Sequence, residues 1–174
     1  GNTVELLEKN DRLGKKIFIT GKGRCNITNA SDIQNHFANI MRNSKFLYSA
    51  YNNFSYEDIC NMIESAGVKT KIERGNRVFP ESDKSSDVIW ALSKMMKDVG
   101  VNVHLNKNVT DVLSDASGVI VKCFDGKDFM GDKCIIATGG LSYPSTGSTG
   151  DGYKFAKNMG HTIEETYPSL VPFN

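Results

Sequence analysis

The 174-residue chain is first defined by what it lacks. No apolar run approaches the roughly 20 residues needed to span a bilayer, and no signal-peptide pattern is visible. Neither sign of charge is in excess. Against 21 basic residues stand 20 acidic ones, which removes the electrostatic case for a nucleic-acid partner. Cysteine is sparse: Cys25, Cys60, Cys123 and Cys134 show no C-x-x-C spacing. A zinc site and a dithiol redox motif are therefore disfavoured, and a reduced cytoplasmic protein is the simplest reading. Nothing resembles a Ser/His/Asp triad or paired glycosidase carboxylates. There is no internal repeat and no low-complexity segment. What is left is a chain long enough for one domain with a core of its own.

The most informative stretch runs from Cys134-Ile135-Ile136-Ala137-Thr138-Gly139-Gly140 to Thr149-Gly150-Asp151-Gly152. A short apolar run closed by glycines predicts a buried parallel strand ending in a tight turn. The second glycine cluster opens a periodic segment with Phe155, Ala156 and Met159, which predicts a helix whose N-terminal N–H groups and dipole favour an anion. Strand, glycine turn and N–H-rich turn together suit a large phosphorylated cofactor. Two ordinary loops of an α/β protein are the alternative.

Residues 1–8 read as a strand ending at Glu8. In dinucleotide-binding folds an acid at this position hydrogen-bonds the adenosine ribose, about 20 residues after a G-x-G-x-x-G turn. No such turn precedes Glu8 here, which predicts either a surface acid or a chain lacking its first strand, turn and helix; the second is preferred. Gly21-Lys22-Gly23-Arg24-Cys25-Asn26 is not a P-loop but is rich in anion donors, with a basic surface hairpin as the alternative. Residues 31–66 predict peripheral helices, one opened by a Ser55/Asp58 capping box and stopped at Gly67. Phe46, Tyr48, Tyr51, Phe54 and Tyr56 predict core or lid packing. A hairpin is expected around Gly75-Asn76. Ser85 or Ser86 is expected to cap a helix with a stripe of Val88, Ile89, Leu92, Met96 and Val99. Val101, Val103 and Leu105 are expected to face inward from a strand that turns His104 to solvent. Residues 106–132 predict a three-stranded antiparallel meander running into the Cys134–Ala137 strand. Three of the cysteines are expected to be packing residues, Cys25 being the exception by its place in a glycine-rich loop.

In this order, Glu8, Gly14-Lys15-Lys16, Gly21 to Asn29, Val78-Phe79-Pro80, Ala137 to Gly140 with Thr149 to Gly152, and Pro168-Ser169-Leu170-Val171-Pro172 resemble the BaiN-like FAD-dependent oxidoreductases. These flavoproteins are also called aminoacetone-oxidase-family or NAD(P)/FAD-dependent enzymes. The resemblance covers essentially the whole chain. It implies an α/β, partial Rossmann-like FAD-binding domain of the two-dinucleotide-binding-domain class, with an inserted antiparallel meander and peripheral helices. That domain would occupy 1–167, and 168–174 would be an exit segment towards a substrate domain.

The resemblance also implies roles. Glu8 would bind the adenosine ribose, and Lys16 would lie along the cofactor. Gly23, Arg24, Cys25 and Asn26 would approach its pyrophosphate, ribityl chain or flavin ring. Val109 would present backbone to the adenine. Thr138, Gly139 and Gly140 would sit against the dinucleotide, with Asp151 and Gly152 starting a helix beside it. The expected activity is transfer of hydride or electrons between a small organic substrate and a nicotinamide or other acceptor, with FAD as cofactor and NAD(P)H as candidate co-substrate. The expected partners exclude nucleic acid and membrane. An exposed sheet edge predicts self-association. The alternative function is a non-catalytic nucleotide-binding module that senses or scaffolds.

Overall fold

The computed structural model describes residues 1–168. Its contacts divide into two units, the first formed by Gly1–Leu6 with Arg12–Val103 and the second by Leu7–Asp11 with the chain from His104 onwards. Residues 169–174, most of the expected exit segment, lie outside the described residues.

The first unit contains most of strand β1 (Glu5–Leu7). Helix α1 (Lys15–Ile19) follows Gly14, whose φ of 74° and closeness to Ile89 admit no side chain; a Cβ there would lie 2.7 Å from Ile89 Cγ1. A 3-10 turn at Thr20–Gly23 leads to strand β2 (Thr28–Asn29). Helices α2 (Ile33–Ala38), α3 (Tyr48–Asn53) and α4 (Tyr56–Ser65) form the expected helical region. The capping box of α4 is complete: Asp58 N–H donates to Ser55 Oγ, and Ser55 N–H donates to the Asp58 carboxylate at 2.7 Å. Strands β3 (Thr70–Glu73) and β4 (Arg77–Pro80) form an antiparallel hairpin. Gly75 and Asn76 both take positive φ in its turn, 76° and 57°. Strand β2 adds to β4, giving the order β2-β4-β3. Helix α5 (Ser85–Asp98) packs on α1, and strand β5 (Asn102–His104) follows. Cys25, Ile63, Ala66, Val68, Val88 and Ala91 form the core of this unit.

Strands β1 and β5 pair in parallel. In the first unit Asn102 N–H donates to the Val4 carbonyl, and in the second Glu8 N–H donates to that of His104. The second unit then adds β6 (Val109–Asp115), β7 (Gly118–Cys123) and β8 (Phe129–Gly131), an antiparallel meander in that order. Helix α6 (Asp151–Asn158) packs by Phe155, which is 2% exposed. Among the described residues no helix is long and apolar enough to cross a membrane.

Several local expectations are corrected. Residues 134–137 form no ladder, and Ile135 is 91% exposed rather than buried. A parallel strand takes its bonds from neighbours distant in sequence, and no described strand pairs with this segment. Ser85 is not a cap but the first residue of α5; it is buried, and its hydroxyl donates to the Phe18 carbonyl at 3.0 Å. Val99 leaves the helical stripe and lies exposed. His104 is half-buried against Phe129, at 4.9 Å between centroids, while Val103 and Leu105 are exposed. The aromatic group is not core. Phe46, Tyr48 and Phe54 are exposed, and Phe37 stacks on Tyr48 at 5.6 Å. Among the cysteines it is Cys134 that is exposed, whereas Cys25 is buried.

Candidate functional site

In the second unit the parallel pairing carries Glu8 to the end of β1. Beyond the strand its backbone stays bonded, out of the parallel register: Lys107 N–H donates to the Glu8 carbonyl and Asn106 N–H to that of Asn10, both at 2.9 Å. The carboxylate does not hang free. Glu8 Oε1 accepts from Asn10 N–H and from Asn10 Nδ2, each at 2.7 Å. Asn10 Nδ2 also donates to the Thr146 carbonyl at 3.0 Å. Between them, Lys9 donates through Nζ to Thr149 Oγ1 and Asp151 Oδ2, both at 2.7 Å, and Thr149 Oγ1 donates to the same carboxylate oxygen at 2.9 Å. Three successive residues after the strand thus fasten the turn that opens α6.

Asp151 is the first residue of α6, where the helix dipole favours negative charge. The hydrogen bond from Lys9 holds its carboxyl below the ordinary range. Burial opposes that shift, and the Thr149 hydroxyl adds to it. A depressed carboxyl contributes stability that is complete above its unfolded value and is lost as pH falls through the folded one. Asp151→Asn should therefore lower the urea midpoint at about pH 6, and that deficit should shrink as pH falls below the ordinary value of 3.8 and disappear only below the depressed folded value. A deficit of equal size at both pH values would show that the ion pair does not stabilise the turn.

The small residues of the two turns pack on each other. A Cβ on Gly152 would lie 2.7 Å from Thr138 Oγ1, and one on Gly139 would lie 2.8 Å from Ser148 Oγ. Gly150 N–H donates to the Gly140 carbonyl at 3.1 Å. Thr138, Gly139, Gly140, Asp151 and Gly152 are thus brought together, with Glu8 tied to the same turn through Asn10. Val109 lies apart from this clasp, opposite Cys123 at the irregular start of β6.

The first unit holds the other candidates. Lys16 lies in the last turn of α1. A Cβ on Gly23, which has φ 86°, would meet nothing within 4 Å, so this face of the loop is open. Arg24 is clamped: Nε donates to Asp83 at 2.8 Å, Nη2 bonds Glu73, and the guanidinium lies 4.2 Å from the Phe79 centroid. The Glu73 bond, and then that to Asp83, raise its pKa further. Arg24 N–H and Cys25 N–H turn inward to the Gly21 and Thr20 carbonyls. Burial pushes the Cys25 thiol up, partly offset by a hydrogen bond with Thr20, which favours a neutral packing group. Asn26 is exposed, its amide placed to donate to the Thr28 carbonyl at 3.1 Å.

Lys9, Asn10, Glu73 and Asp83 carry no sequence signal of their own for a site. Lys9 and Asp151 lie 142 positions apart, and no motif spacing connects them. Adjacency to Glu8 was the one available pointer to Lys9 and Asn10.

Parallel pairing that ends in an acid, followed by an antiparallel meander and a glycine turn on a helix, defines a Rossmann-like α/β domain. The chain belongs to the family described as HI0933-like protein Rossmann domain, matched over residues 1–167. It is 34% identical to a 3-dehydro-bile acid delta(4,6)-reductase of Clostridium scindens, over 97% of this chain and 40% of that protein. It is 30% identical to a ribosomal RNA dihydrouridine synthase of Escherichia coli, over 99% of this chain and 42% of that one. For a protein of the same description in Haemophilus influenzae the identity is 26%, over 99% and 43%. The chain spans about two fifths of the length of these curated relatives. It is a Rossmann domain of a family whose members include a reductase.

Proposed function

We propose that the complete protein carrying this chain is a flavin-dependent oxidoreductase and that this chain supplies FAD-binding residues. The observation that carries the reading is the Glu8 carboxylate, fixed at the end of a parallel strand beside a glycine turn. An ionised carboxylate there suits a ribose diol, which donates two hydrogen bonds. Asp151, held ionised by Lys9, likewise suits a hydroxyl and not a phosphate. These two acceptors therefore fit the polyhydroxyl parts of FAD. The loop at Gly23 to Asn26 fits phosphate less well, because Arg24 is neutralised by two carboxylates and two of its N–H groups point inward. Its open Gly23 face suits close approach of a flat or extended group. Lys16 and Val109 are carried as contacts on the family resemblance alone.

When bound, the flavin would supply the hydride chemistry, and the protein groups would bind and orient it. NAD(P)H is the proposed electron donor. The names of the relatives support a narrower substrate class. A 3-dehydro bile acid with delta(4,6) unsaturation and the uracil that becomes dihydrouracil both hold a carbon–carbon double bond conjugated to a carbonyl. We favour a small unsaturated carbonyl compound as substrate, without nucleic acid or membrane as partner. Cytoplasmic location belongs to the same reading and is supported by four free thiols. Self-association of this chain by itself, through an open sheet edge, is proposed beside it.

The test is the absorption spectrum of the complete protein purified without added cofactor. Flavin bands that bleach anaerobically with NADH or NADPH, and return on adding a 3-oxo-4-ene steroid, support the whole reading. Return only with uridine-containing RNA would move the substrate to nucleic acid. Flavin bands that no donor or acceptor changes would favour a sensing or scaffolding module. A protein that stays colourless after incubation with FAD would overturn the flavin reading.

A further inference from the structure

We propose that Asn10 is the positioning residue for the Glu8 carboxylate and that, through Thr146, it couples recognition at Glu8 to the glycine turn before α6. The inference rests on the flavin reading and adds a residue to which no role has been assigned. A glutamate at the end of a strand has three side-chain torsions, and an unrestrained carboxylate loses affinity by ordering itself on binding. Here the ordering is already done. Both Asn10 donors fall on Oε1, the backbone N–H and Nδ2 each at 2.7 Å, so a diol would be met by Oε2. Asn10 is itself held from the other side, where its carbonyl accepts from Asn106 N–H at 2.9 Å.

The same amide nitrogen donates to the Thr146 carbonyl at 3.0 Å. The next residue leaves no slack. Gly147 has φ 98°, and a Cβ on it would lie 2.9 Å from Asn10 Nδ2. A shift of the 146–147 turn is therefore felt at Asn10, and through Asn10 at Glu8. Lys9 fastens the far end of that turn by Thr149 and Asp151, so strand end and turn move together. All of these groups belong to the second unit.

The experiment measures FAD dissociation constants for the complete protein as wild type, Glu8→Ala, Asn10→Ala and the double variant, with melting midpoints of the cofactor-free forms. Asn10→Ala is expected to weaken FAD binding about fivefold in the wild-type background. It is expected to change binding by less than about twofold in the Glu8→Ala background, because a positioning residue has nothing left to position. Gly147→Ala should weaken FAD binding in the same direction as Asn10→Ala. Asn10→Leu, close in volume but without the amide donor, gives the same comparison if Asn10→Ala does not fold. An unchanged FAD affinity in Asn10→Ala overturns the proposal. So does an equal loss in both backgrounds, which would make Asn10 a support of the turn alone. If Glu8→Ala binds FAD as the wild type does, the inference falls while the flavin reading stands. If the wild type takes up no FAD, both fall.

Discussion

Replacing Phe155 with alanine is expected to destabilise the second unit by about 3–5 kcal/mol, the range for removing a fully buried aromatic ring. Phe155 is 2% exposed, and its neighbours in burial within this unit are few, chiefly Val112 and Cys123. Helix α6 has 8 residues, too few to persist without tertiary packing. The ring is the buried anchor of that helix, beside the Lys9–Asp151 ion pair at its start, so its loss also loosens the turn that Lys9 and Asn10 hold. The urea midpoint of Phe155→Ala should fall steeply, and that of Phe155→Leu much less. An unfolding free energy within about 0.5 kcal/mol of wild type would mean that α6 is not docked by this residue.

The second large effect is on the cofactor. Glu8→Ala in the complete protein should weaken FAD binding by about 10- to 100-fold, since a hydrogen bond to a charged group contributes roughly 1.5–3 kcal/mol. The variant also removes the internal acceptor of both Asn10 donors, so a fall in apo-protein stability of about 1 kcal/mol is expected beside it. Affinity for FMN, which lacks the adenosine half, separates the two effects. It should change little if Glu8 meets the ribose. Equal losses for FAD and FMN would place the action of Glu8 in the fold of the turn.

Local features of this fold were legible in the sequence because their causes are local. The Ser55/Asp58 box, the Gly75-Asn76 hairpin, the meander and the glycine-opened helix at Asp151 depend on residues a few positions apart. The errors come from partners far along the chain. The Cys134 to Ala137 run has the composition of a buried strand, yet a strand exists only where another backbone pairs with it. Ser85 had the composition of a cap, but the Phe18 carbonyl, 67 positions away, took its hydroxyl. Arg24 read as an anion donor, and two distant carboxylates had already claimed it. The clasp of Lys9 and Asn10 was illegible for the same reason: Asn10 meets Thr146 across 136 positions. Of the residues picked by family likeness, Glu8, Thr138, Gly139, Gly140, Asp151 and Gly152 fall near one another in the second unit, Val109 lies apart from them, and Lys16 with Gly23 to Asn26 belong to the first unit; the side chains that hold them in place carried no pattern to find.

Gly152 shows how packing can imitate function. It sits inside the first turn of α6 without a positive φ, so its backbone would accept any residue. The obstacle is Thr138 Oγ1, 2.7 Å from where a Cβ would stand, with Ile136 Cγ2 at 3.3 Å. A saturation library would score position 152 as intolerant, and steric exclusion alone is enough to give that score. Its signature would be epistasis: alanine at 152 should become acceptable once 138 is reduced to alanine, which removes the hydroxyl, so that the two positions vary as a pair.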